Sequence, residues 1–480
     1  MKKELTLKQC FGWALVTLAL LGVLFYAVAH EQLNYKINST DAVTPSFNTG
    51  ELVAGNVVDQ TFSVEDDDLR TVGIYLQTAG RENTGSLTVS ILSGKEVLWR
   101  TEIDVSSVED SAYYQMTPLL AGVAGKQLTL RVTSVNGQPG NALYLCCGNS
   151  YSAGRGQVEV PVSNSATLNG TLLNGQLCME IGTGKQLWFG AYYWLFYAVF
   201  MLYAAGYGLY VLRCDRKGKL CGALRFLLAM KNYRFLLEQL VNRDFKTKYK
   251  RSMLGVLWSF LNPLLTMVVQ YIVFSTLFKS DIENYPAYLL SGIICFTYFN
   301  EAVNQCMVSI TGNATLITKV YLPKYILPIS KALSTGINLL LSLIPLLAVV
   351  LLTGEGITPA ILLLPFGLCC LFAFSLGIGM MLATSMVFFR DTQFLWGIAS
   401  MLWMYLTPVF YPESIIPEKL MTLYKMNPLY HVIRFVRTIL LDGVSPEPKA
   451  YLLCAIACIV PLILGLRIFR RNQNKFILYI

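Results

Sequence analysis

The sequence predicts an α-helical polytopic membrane protein with about eight spans and an inserted, extracytoplasmic all-β sandwich domain. Hydrophobic residues make up 54% of the 480 residues and charged residues only 14%, with a mean hydropathy of +0.49. That composition is too apolar for a soluble protein of this length. One long stretch, residues 30–187, lacks extended apolar runs and instead alternates apolar with polar residues.

Apolar runs recur along the chain at lengths that suit a hydrocarbon layer of roughly 30 Å. Two flank the alternating segment and six follow it. They lie at residues 11–29, 188–212, 254–277, 288–310, 329–352, 361–389, 394–410 and 451–469. The first run follows Lys2, Lys3 and Lys8, as a secretory signal would, but no convincing cleavage site follows it, so we expect an uncleaved anchor over residues 1–29.

Basic residues concentrate in loops that the positive-inside rule assigns to the cytosol. The segment from Arg213 to residue 251 has twelve Lys or Arg against Asp215, Glu238 and Asp244. Eight spans with both termini inside would place this segment and the other basic loops in the cytosol. Residues 30–187 then lie on the outer side, 188–212 form the second span, 213–253 a basic cytosolic segment, and 254–480 a six-span domain.

The outer segment contains short runs of Val, Leu, Thr and Tyr separated by Gly, Asn, Asp and Pro. Examples are TVGIYLQTA from Thr71, GSLTVSILSG from Gly85 and KQLTLRVTSV from Lys126. Alternation with a period of two at this spacing predicts a β-sandwich. Sixteen acidic against nine basic residues in 30–187 indicate a solvated surface.

The residues that usually carry chemistry are sparse. Of twelve cysteines, Cys146, Cys147 and Cys178 lie in the outer segment, where Cys178 could form a disulfide with either of the others, or all three could stay as buried thiols. Two histidines and no metal-ligand spacing argue against a metal site. The run EIGTGKQ from Glu180 does not fit the GxxxxGK[ST] phosphate loop. We therefore expect no catalytic, metal or cofactor site in this chain.

Glu301 is the one acid clearly inside an apolar run, and burying a charge in lipid is expensive. With Asn304 and Gln305 it occupies one helical face. Lining of a conduit or polar packing is the favoured interpretation, and proton or ion coupling is the alternative.

The end of the basic segment mixes aromatic with cationic residues, as expected of an interface helix on the anionic inner leaflet. A plain juxtamembrane anchor is the alternative. The candidate residues are Phe235, Arg243, Phe245, Lys248, Tyr249 and Arg251.

Roughly half of the chain, from about residue 237 to the C-terminal end, resembles the membrane subunits of ABC transporters that export teichoic acids, O-antigens and related polysaccharides. The resemblance rests on five ordered segments. They are 243–263 with Tyr249, Leu254, Gly255, Trp258 and Pro263, LITKVYLPKYILPIS at 316–330, Phe389 to Asp391, TPVFYPESIIP at 407–417, and NPLYHVIRFVRTILLDG at 427–443.

The resemblance implies a permease in a bacterial inner membrane that pairs with a second copy of itself and recruits two copies of a separate subunit carrying ATP and Mg. The substrate would be a polyprenyl-diphosphate-linked polysaccharide; membrane lipids are expected partners and nucleic acid is not. Export of a drug or lipid, or a membrane-anchored glycan receptor, are the alternatives.

The resemblance also assigns roles to residues. The loop 312–328 would be a coupling helix on the ATPase, with candidates Asn313, Leu316, Lys319, Tyr321 and Lys324. Arg390 and Asp391 would touch the same partner or pair with each other. Residues 408–441 would dip into the membrane and return, which places Arg434 and Arg437 near the emerging chain or near lipid phosphates.

Aromatic rings stack on sugar faces and could line a conduit, although an interfacial belt with lipid-facing packing is the alternative for each residue. The path candidates, with Glu301 and Asn304, are Trp258, Tyr271, Phe274, Phe278, Tyr298, Phe299 and Trp403. The first two spans and the outer domain depart from the family, which typically has six spans. This domain could bind the emerging glycan through exposed aromatics such as Tyr113 and Tyr151, dock another protein or brace the dimer.

Overall fold

The computed structural model describes residues 7–39, 43–153, 156–159, 165–217, 222–250, 254–275, 284–320, 322–353, 356 and 358–479. These form two compact units. One is Glu31–Tyr193, and the other combines Met1–His30 with Trp194–Ile480. We call the first the β-unit and the second the helical unit.

The β-unit contains sixteen strands among the residues that the structure describes. They are β1 Tyr35–Ser39, β2 Phe47–Glu51, β3 Val57–Ser63, β4 Asp68–Gln77, β5 Ser86–Ser93, β6 Glu96–Asp104, β7 Ala112–Met116, β8 Leu120–Ala121, β9 Gln127–Ser134, β10 Tyr144–Gly148, β11 Ser150–Ala153, β12 Gly156–Glu159, β13 Thr167–Leu168, β14 Thr171–Leu172, β15 Gln176–Leu177 and β16 Met179–Gln186.

Two antiparallel sheets of the β-unit share one core. The larger has the order β1-β16-β4-β10-β15, with β2 beside β10 and β7 and β8 beside β4; the smaller has the order β14-β13-β3-β9-β5-β6. Val72 and Leu76 of the first sheet and Val89 and Leu130 of the second are fully buried in this core. The three runs predicted as strands became β4, β5 and β9, and the prediction of a separate β-sheet region is confirmed.

The hairpin between β5 and β6 shows how the sequence sets strand register. Ser93 pairs with Glu96, which leaves Gly94 and Lys95 as a two-residue loop. Gly94 has a φ of 63°, and tight hairpin loops favour glycine because they require positive φ. A side chain with Cβ would be strained at this turn.

The three cysteines of the β-unit are buried free thiols. The Cys178 N–H donates to the Cys146 carbonyl over 2.8 Å, so Cys178, in the link between β15 and β16, lies beside Cys146 of β10. Burial raises the pKa of the Cys146 thiol to about 11 and that of Cys178 to about 12. The structure thus places Cys146, not Cys147, as the neighbour of Cys178 in a small buried cluster.

The remaining elements are helical. They are α1 Leu7–Asn34, α2 Trp188–Arg216, α3 Gly222–Tyr249, α4 Trp258–Ser275, α5 Tyr285–Met307, α6 Ala314–Lys319, α7 Ile326–Leu352, α8 Leu364–Phe388, α9 Thr392–Tyr405, α10 Glu418–Lys425, α11 Pro428–Leu440, α12 Pro448–Asn472 and α13 Phe476–Tyr479.

Six helical stretches of the described residues are long and apolar enough to cross a membrane, which confirms a polytopic protein. They are Phe11–Asn34, Trp188–Arg216, Gly255–Ser275, Ile326–Leu352, Pro359–Phe388 and Pro448–Tyr479. The two other predicted spans correspond to α5 and α9. Helix α9 has 14 residues, about 21 Å, which is shorter than the hydrocarbon layer. Eight spans therefore remain a prediction.

Helix α5 has 23 residues, but it carries Asn300, Glu301, Asn304 and Gln305 in its second half. Its other side chains are mostly buried against α4, α7 and α8. A helix enclosed by protein needs little lipid-facing apolar surface, which accounts for its polar content.

Candidate functional site

Helices α3, α5 and α7 line an open polar cavity of about 290 Å³ at the end of the helical unit where α6 lies. It brings together residues that the sequence analysis had placed in two separate groups, the interface helix and the conduit. Its lining side chains are Asp244, Thr247, Lys248, Glu301, Gln305, Lys331, Ser334, Thr335 and Asn338.

Two ion pairs cross the polar cavity. Lys248 Nζ lies 2.5 Å from Glu301 Oε1 and joins α3 to α5, and Lys331 Nζ lies 3.0 Å from Asp244 Oδ2 and joins α7 to α3. The second contact is electrostatic only, because Asp244 Oδ2 has no hydrogen-bond partner among the described residues. The Lys248 and Glu301 side chains remain 41% and 30% exposed, so the pair orients helices more than it stabilises the fold.

Tyr249 fastens the end of α3 to two further helices. Its hydroxyl contacts the Ser259 hydroxyl of α4 and donates to Asn338 Oδ1 of α7 over 2.9 Å. Lys248 and Tyr249 therefore face other helices rather than the membrane surface alone.

The other interface-helix candidates divide between the two faces of α3. Phe235 is 72% exposed, whereas Phe245 is half-buried with its ring centroid 5.2 Å from that of Tyr249. Arg243 pairs with the adjacent Asp244 and also reaches Asn313 Oδ1 over 3.4 Å. Arg251 lies outside the described residues.

The predicted coupling loop forms a 3-10 turn, Thr311–Asn313, followed by the short helix α6. Ile317 is buried and Leu316 half-buried against Leu240 of α3 and Phe476 of α13. Lys319 and Val320 are exposed, Val320 by 49%. Apart from Tyr321, which lies outside the described residues, the loop thus has an inner apolar face and a free outer face.

Lys324 was predicted to face a partner, but the structure gives it a contact within the chain. Its Nζ donates to the Gln473 carbonyl over 2.6 Å, which ties the loop to the turn before α13. Burial lowers the pKa of Lys324.

Arg390 and Asp391 are exposed in the turn between α8 and α9, and no ion pair joins them in the described part of the chain. The end of α8 packs on the same apolar cluster as α6 and α13, through Val387 and Phe388. Three predicted cytosolic elements therefore meet at one end of the helical unit.

Most of the path candidates are not brought together within one chain; Phe299 and Trp403, with ring centroids 5.5 Å apart, are in contact with each other. Tyr298 and Phe299 are buried, and Phe299 packs on Phe374 with ring centroids 5.1 Å apart, so the prediction is corrected for these two. Asn304 bonds back to Asn300 on its own helix. The other candidates are scattered: Trp258 and Tyr271 are exposed, Phe274 stacks on Phe410, Trp403 donates to Asn427, and Phe278 lies outside the described residues.

Arg437 is also corrected, because its side chain is inaccessible to an emerging glycan. It is buried, its Nη1 donates to the Pro408 carbonyl over 2.7 Å, and its Nη2 donates to the carbonyls of Val409 and Tyr288 over 3.0 and 3.2 Å. The guanidinium lies 3.4 Å from the centroid of the Tyr288 ring. Arg437 thus fixes the irregular segment after α9 to α5.

Arg434, one turn earlier on α11, differs from Arg437 in exposure. Its side chain is 60% exposed and lies 3.8 Å from Glu413 Oε2, while its Nη1 donates to the Tyr430 hydroxyl. Its guanidinium is accessible, and a role near the emerging chain or near lipid phosphates stays a prediction. Residues at i and i+3 lie on the same side of a helix, so amphipathic spacing does not show which of the two arginines is buried. The sequence analysis therefore gave both the same role.

In the β-unit, Tyr113 is half-buried in a groove of about 220 Å³ with Ser107, Glu109 and Gln115. Its ring makes an edge-to-face contact with Tyr75, with centroids 5.0 Å apart. Burial raises the pKa of Tyr113 to about 12, so its hydroxyl stays protonated and can donate. Tyr151 lies in β11, but its side chain is outside the described residues.

Comparison with known proteins identifies a family for a large part of the helical unit. Residues 236–441 match the profile of the ABC-2 type transporter family. The chain is 31% identical over 244 residues to the O-antigen export system permease protein RfbA of Klebsiella pneumoniae, covering 50% of this chain and 93% of that protein.

Two further relatives match over a similar extent. The chain is 29% identical to the RfbA protein of Myxococcus xanthus over 53% of this chain and 98% of that protein. It is 24% identical to the polysialic acid transport protein KpsM of Escherichia coli over 50% of this chain and 94% of that protein. Nearly the whole length of each relative is thus matched by about half of this chain.

Proposed function

Because this chain belongs to the ABC-2 type transporter family, we propose that it is the membrane-spanning permease of an exporter of cell-surface polysaccharide. The observation that carries this proposal is the match to nearly the full length of O-antigen and capsule export permeases. Those similarities favour polysaccharide over a drug or lipid. The substrate we propose is a polyprenyl-diphosphate-linked chain of O-antigen or teichoic-acid type, moved outward across a bacterial inner membrane.

The energy comes from a separate ATP-binding subunit. We propose two copies of that subunit on a permease homodimer, since each chain presents one α6. ATP and Mg would be bound by the partner and hydrolysed there, so that this chain is a transporter subunit and not an enzyme.

The outer face of α6 is the proposed contact with the ATP-binding subunit, through Lys319 and Val320. Force on α6 would reach α5 and α7 directly, because α6 lies between them in the chain. It would reach α3 through the Arg243 to Asn313 contact and the two ion pairs of the polar cavity. The exposed Arg390 and Asp391 are proposed to extend the same contact.

We propose that the β-unit lies outside the membrane, with eight spans and both termini in the cytosol. The basic residues support this topology, since Arg213 and Arg216 end α2 and Arg470 and Arg471 end α12.

This topology predicts the sides from which introduced thiols react. With an impermeant maleimide on intact spheroplasts, Glu65→Cys should be labelled, while Lys217→Cys and Asn474→Cys should react only after permeabilisation. All three positions are exposed, so accessibility depends on the side of the membrane. Labelling of the unsubstituted chain gives the background from the native cysteines. Labelling of Lys217→Cys from outside would contradict the topology.

We further propose that the groove beside Tyr113 contacts the exported glycan. An aromatic ring next to a carboxylate and an amide offers both stacking and hydrogen bonds to a sugar. Bracing of the dimer or docking of another protein are the other roles for the β-unit.

The full chain in detergent should bind the surface polysaccharide of its own source saturably. Tyr113→Ala should weaken binding by roughly two- to tenfold, the effect of losing one aromatic contact. Leu172→Ala, at an exposed position elsewhere in the β-unit, should leave binding unchanged. Equal binding by Tyr113→Ala and the unsubstituted chain, with matching circular dichroism, would exclude this groove.

A further inference from the structure

Three thiols of the helical unit converge in its core. Cys370 of α8 and Cys454 and Cys458 of α12 place their Sγ atoms within 4.8 Å of one another. Cys454 and Cys458 are fully buried and Cys370 is 7% exposed. The two residues of α12 are four positions apart, so both face α8.

The helix packing holds this cluster in a defined register. Two turns beyond Cys370, Gly377 approaches the backbone of Pro461 and Leu462, and a Cβ at Gly377 would lie 2.5 Å from the Leu462 nitrogen. Gly465, two turns beyond Cys458, similarly abuts the Gly377 carbonyl. Cys370 precedes Gly377 by seven residues, and Cys458 precedes Gly465 by seven residues. Because each helix advances equally over seven residues, contact between the two glycines places Cys370 beside Cys458. The thiols are therefore fixed by rigid backbone contacts.

The spacing suits three sulfur ligands around one ion. With metal–sulfur distances of about 2.3 Å, a planar three-coordinate site has sulfur atoms about 4.0 Å apart. The observed cluster needs little closure to reach that geometry. Sulfur ligands select soft ions such as Cu(I) over hard ones such as Mg(II).

The apolar surroundings also favour a metal complex with no net charge. The cluster lies in an apolar core with Phe374, Val436 and Leu371, where an uncompensated charge is costly. Cu(I) bound to one thiolate and two neutral thiols forms an electrically neutral complex, with one proton released to solvent. A divalent ion would require a second deprotonation and would lose a more tightly held hydration shell.

We propose that Cys370, Cys454 and Cys458 form a binding site for a soft monovalent metal ion of the Cu(I) class, which clamps α8 to α12. This site is separate from the polar cavity and from the outer face of α6 that we propose contacts the ATP-binding subunit. It does not depend on which substrate the permease moves.

Anaerobic titration of the full chain in detergent with the Cu(I)–bicinchoninate complex tests the site. Cys370→Ser and Cys458→Ser should each reduce the Cu(I) retained by one ion per chain. Cys295→Ser, which alters a buried thiol of α5 outside the cluster, should retain as much as the unsubstituted chain. A parallel titration with Zn(II) should give weaker retention at the cluster.

A second measurement needs no variant and covers the case in which a substituted chain fails to fold. Cu(I) should slow alkylation of Cys370, Cys454 and Cys458 in the unsubstituted chain, as mapped by mass spectrometry, and leave Cys295 unchanged. Equal alkylation with and without Cu(I), or equal retention by the cluster and control variants, would overturn the proposal. Retention of Zn(II) without Cu(I) would overturn the assigned class of ion.

Discussion

Replacing Arg437 with leucine is expected to destabilise the helical unit and to abolish export. The change removes the donors to three backbone carbonyls, those of Pro408, Val409 and Tyr288. An unsatisfied buried acceptor costs about 1–3 kcal/mol, and release of the buried charge offsets part of the sum. We expect a net loss of roughly 2–5 kcal/mol.

Thermal unfolding of the purified chain, followed by size-exclusion chromatography, measures this effect. Arg434→Leu is the matched control, because Arg434 lies on the same helix but is 60% exposed, and it should change stability little. Arg437→Lys should be intermediate, since an ammonium keeps the charge but lacks the planar fork of donors. Equal stability of Arg437→Leu and Arg434→Leu would show that the buried guanidinium does not hold the segment after α9.

Replacing Val320 with aspartate should stop export while leaving the chain folded. Val320 is 49% exposed beside α6, so its own unit tolerates a charge there. In an apolar contact with the ATP-binding subunit, an unpaired carboxylate costs about 3–5 kcal/mol, which weakens association by at least about 100-fold. Leu316→Asp tests the contact less cleanly, because Leu316 also packs on the apolar cluster of its own chain.

Co-purification with the ATP-binding subunit measures this association. Val444→Asp, at a similarly exposed apolar residue in the turn after α11, should co-purify normally. Normal export by Val320→Asp, with an intact complex, would exclude this face of α6 from the contact.

Sequence patterns over short stretches predicted the helices and strands that such stretches determine. Alternation and turn residues located β4, β5 and β9, and apolar length located the six helices that can span a membrane. Apolar length also predicted the run at 288–310 that became α5, although α5 is more polar than the six because protein encloses it and its composition reflects neighbours distant in the chain.

The candidate site required tertiary structure. Lys248 and Glu301 are 53 residues apart, and their types alone did not indicate a pair. The i, i+4 spacing of Cys454 and Cys458 could have suggested a shared face, but the third thiol lies on another helix. Arg437 was placed wrongly because its partners are backbone carbonyls, which leave no trace in side-chain patterns.

Reconstitution into proteoliposomes tests the central claim most directly. The chain and its ATP-binding subunit are incorporated together or separately, and ATP hydrolysis and the transfer of lipid-linked polysaccharide across the bilayer are measured. We predict that both activities require both proteins and that the chain alone neither binds nor hydrolyses ATP. Hydrolysis by the chain alone, or an assembled complex that hydrolyses ATP but transfers no polysaccharide, would contradict the account.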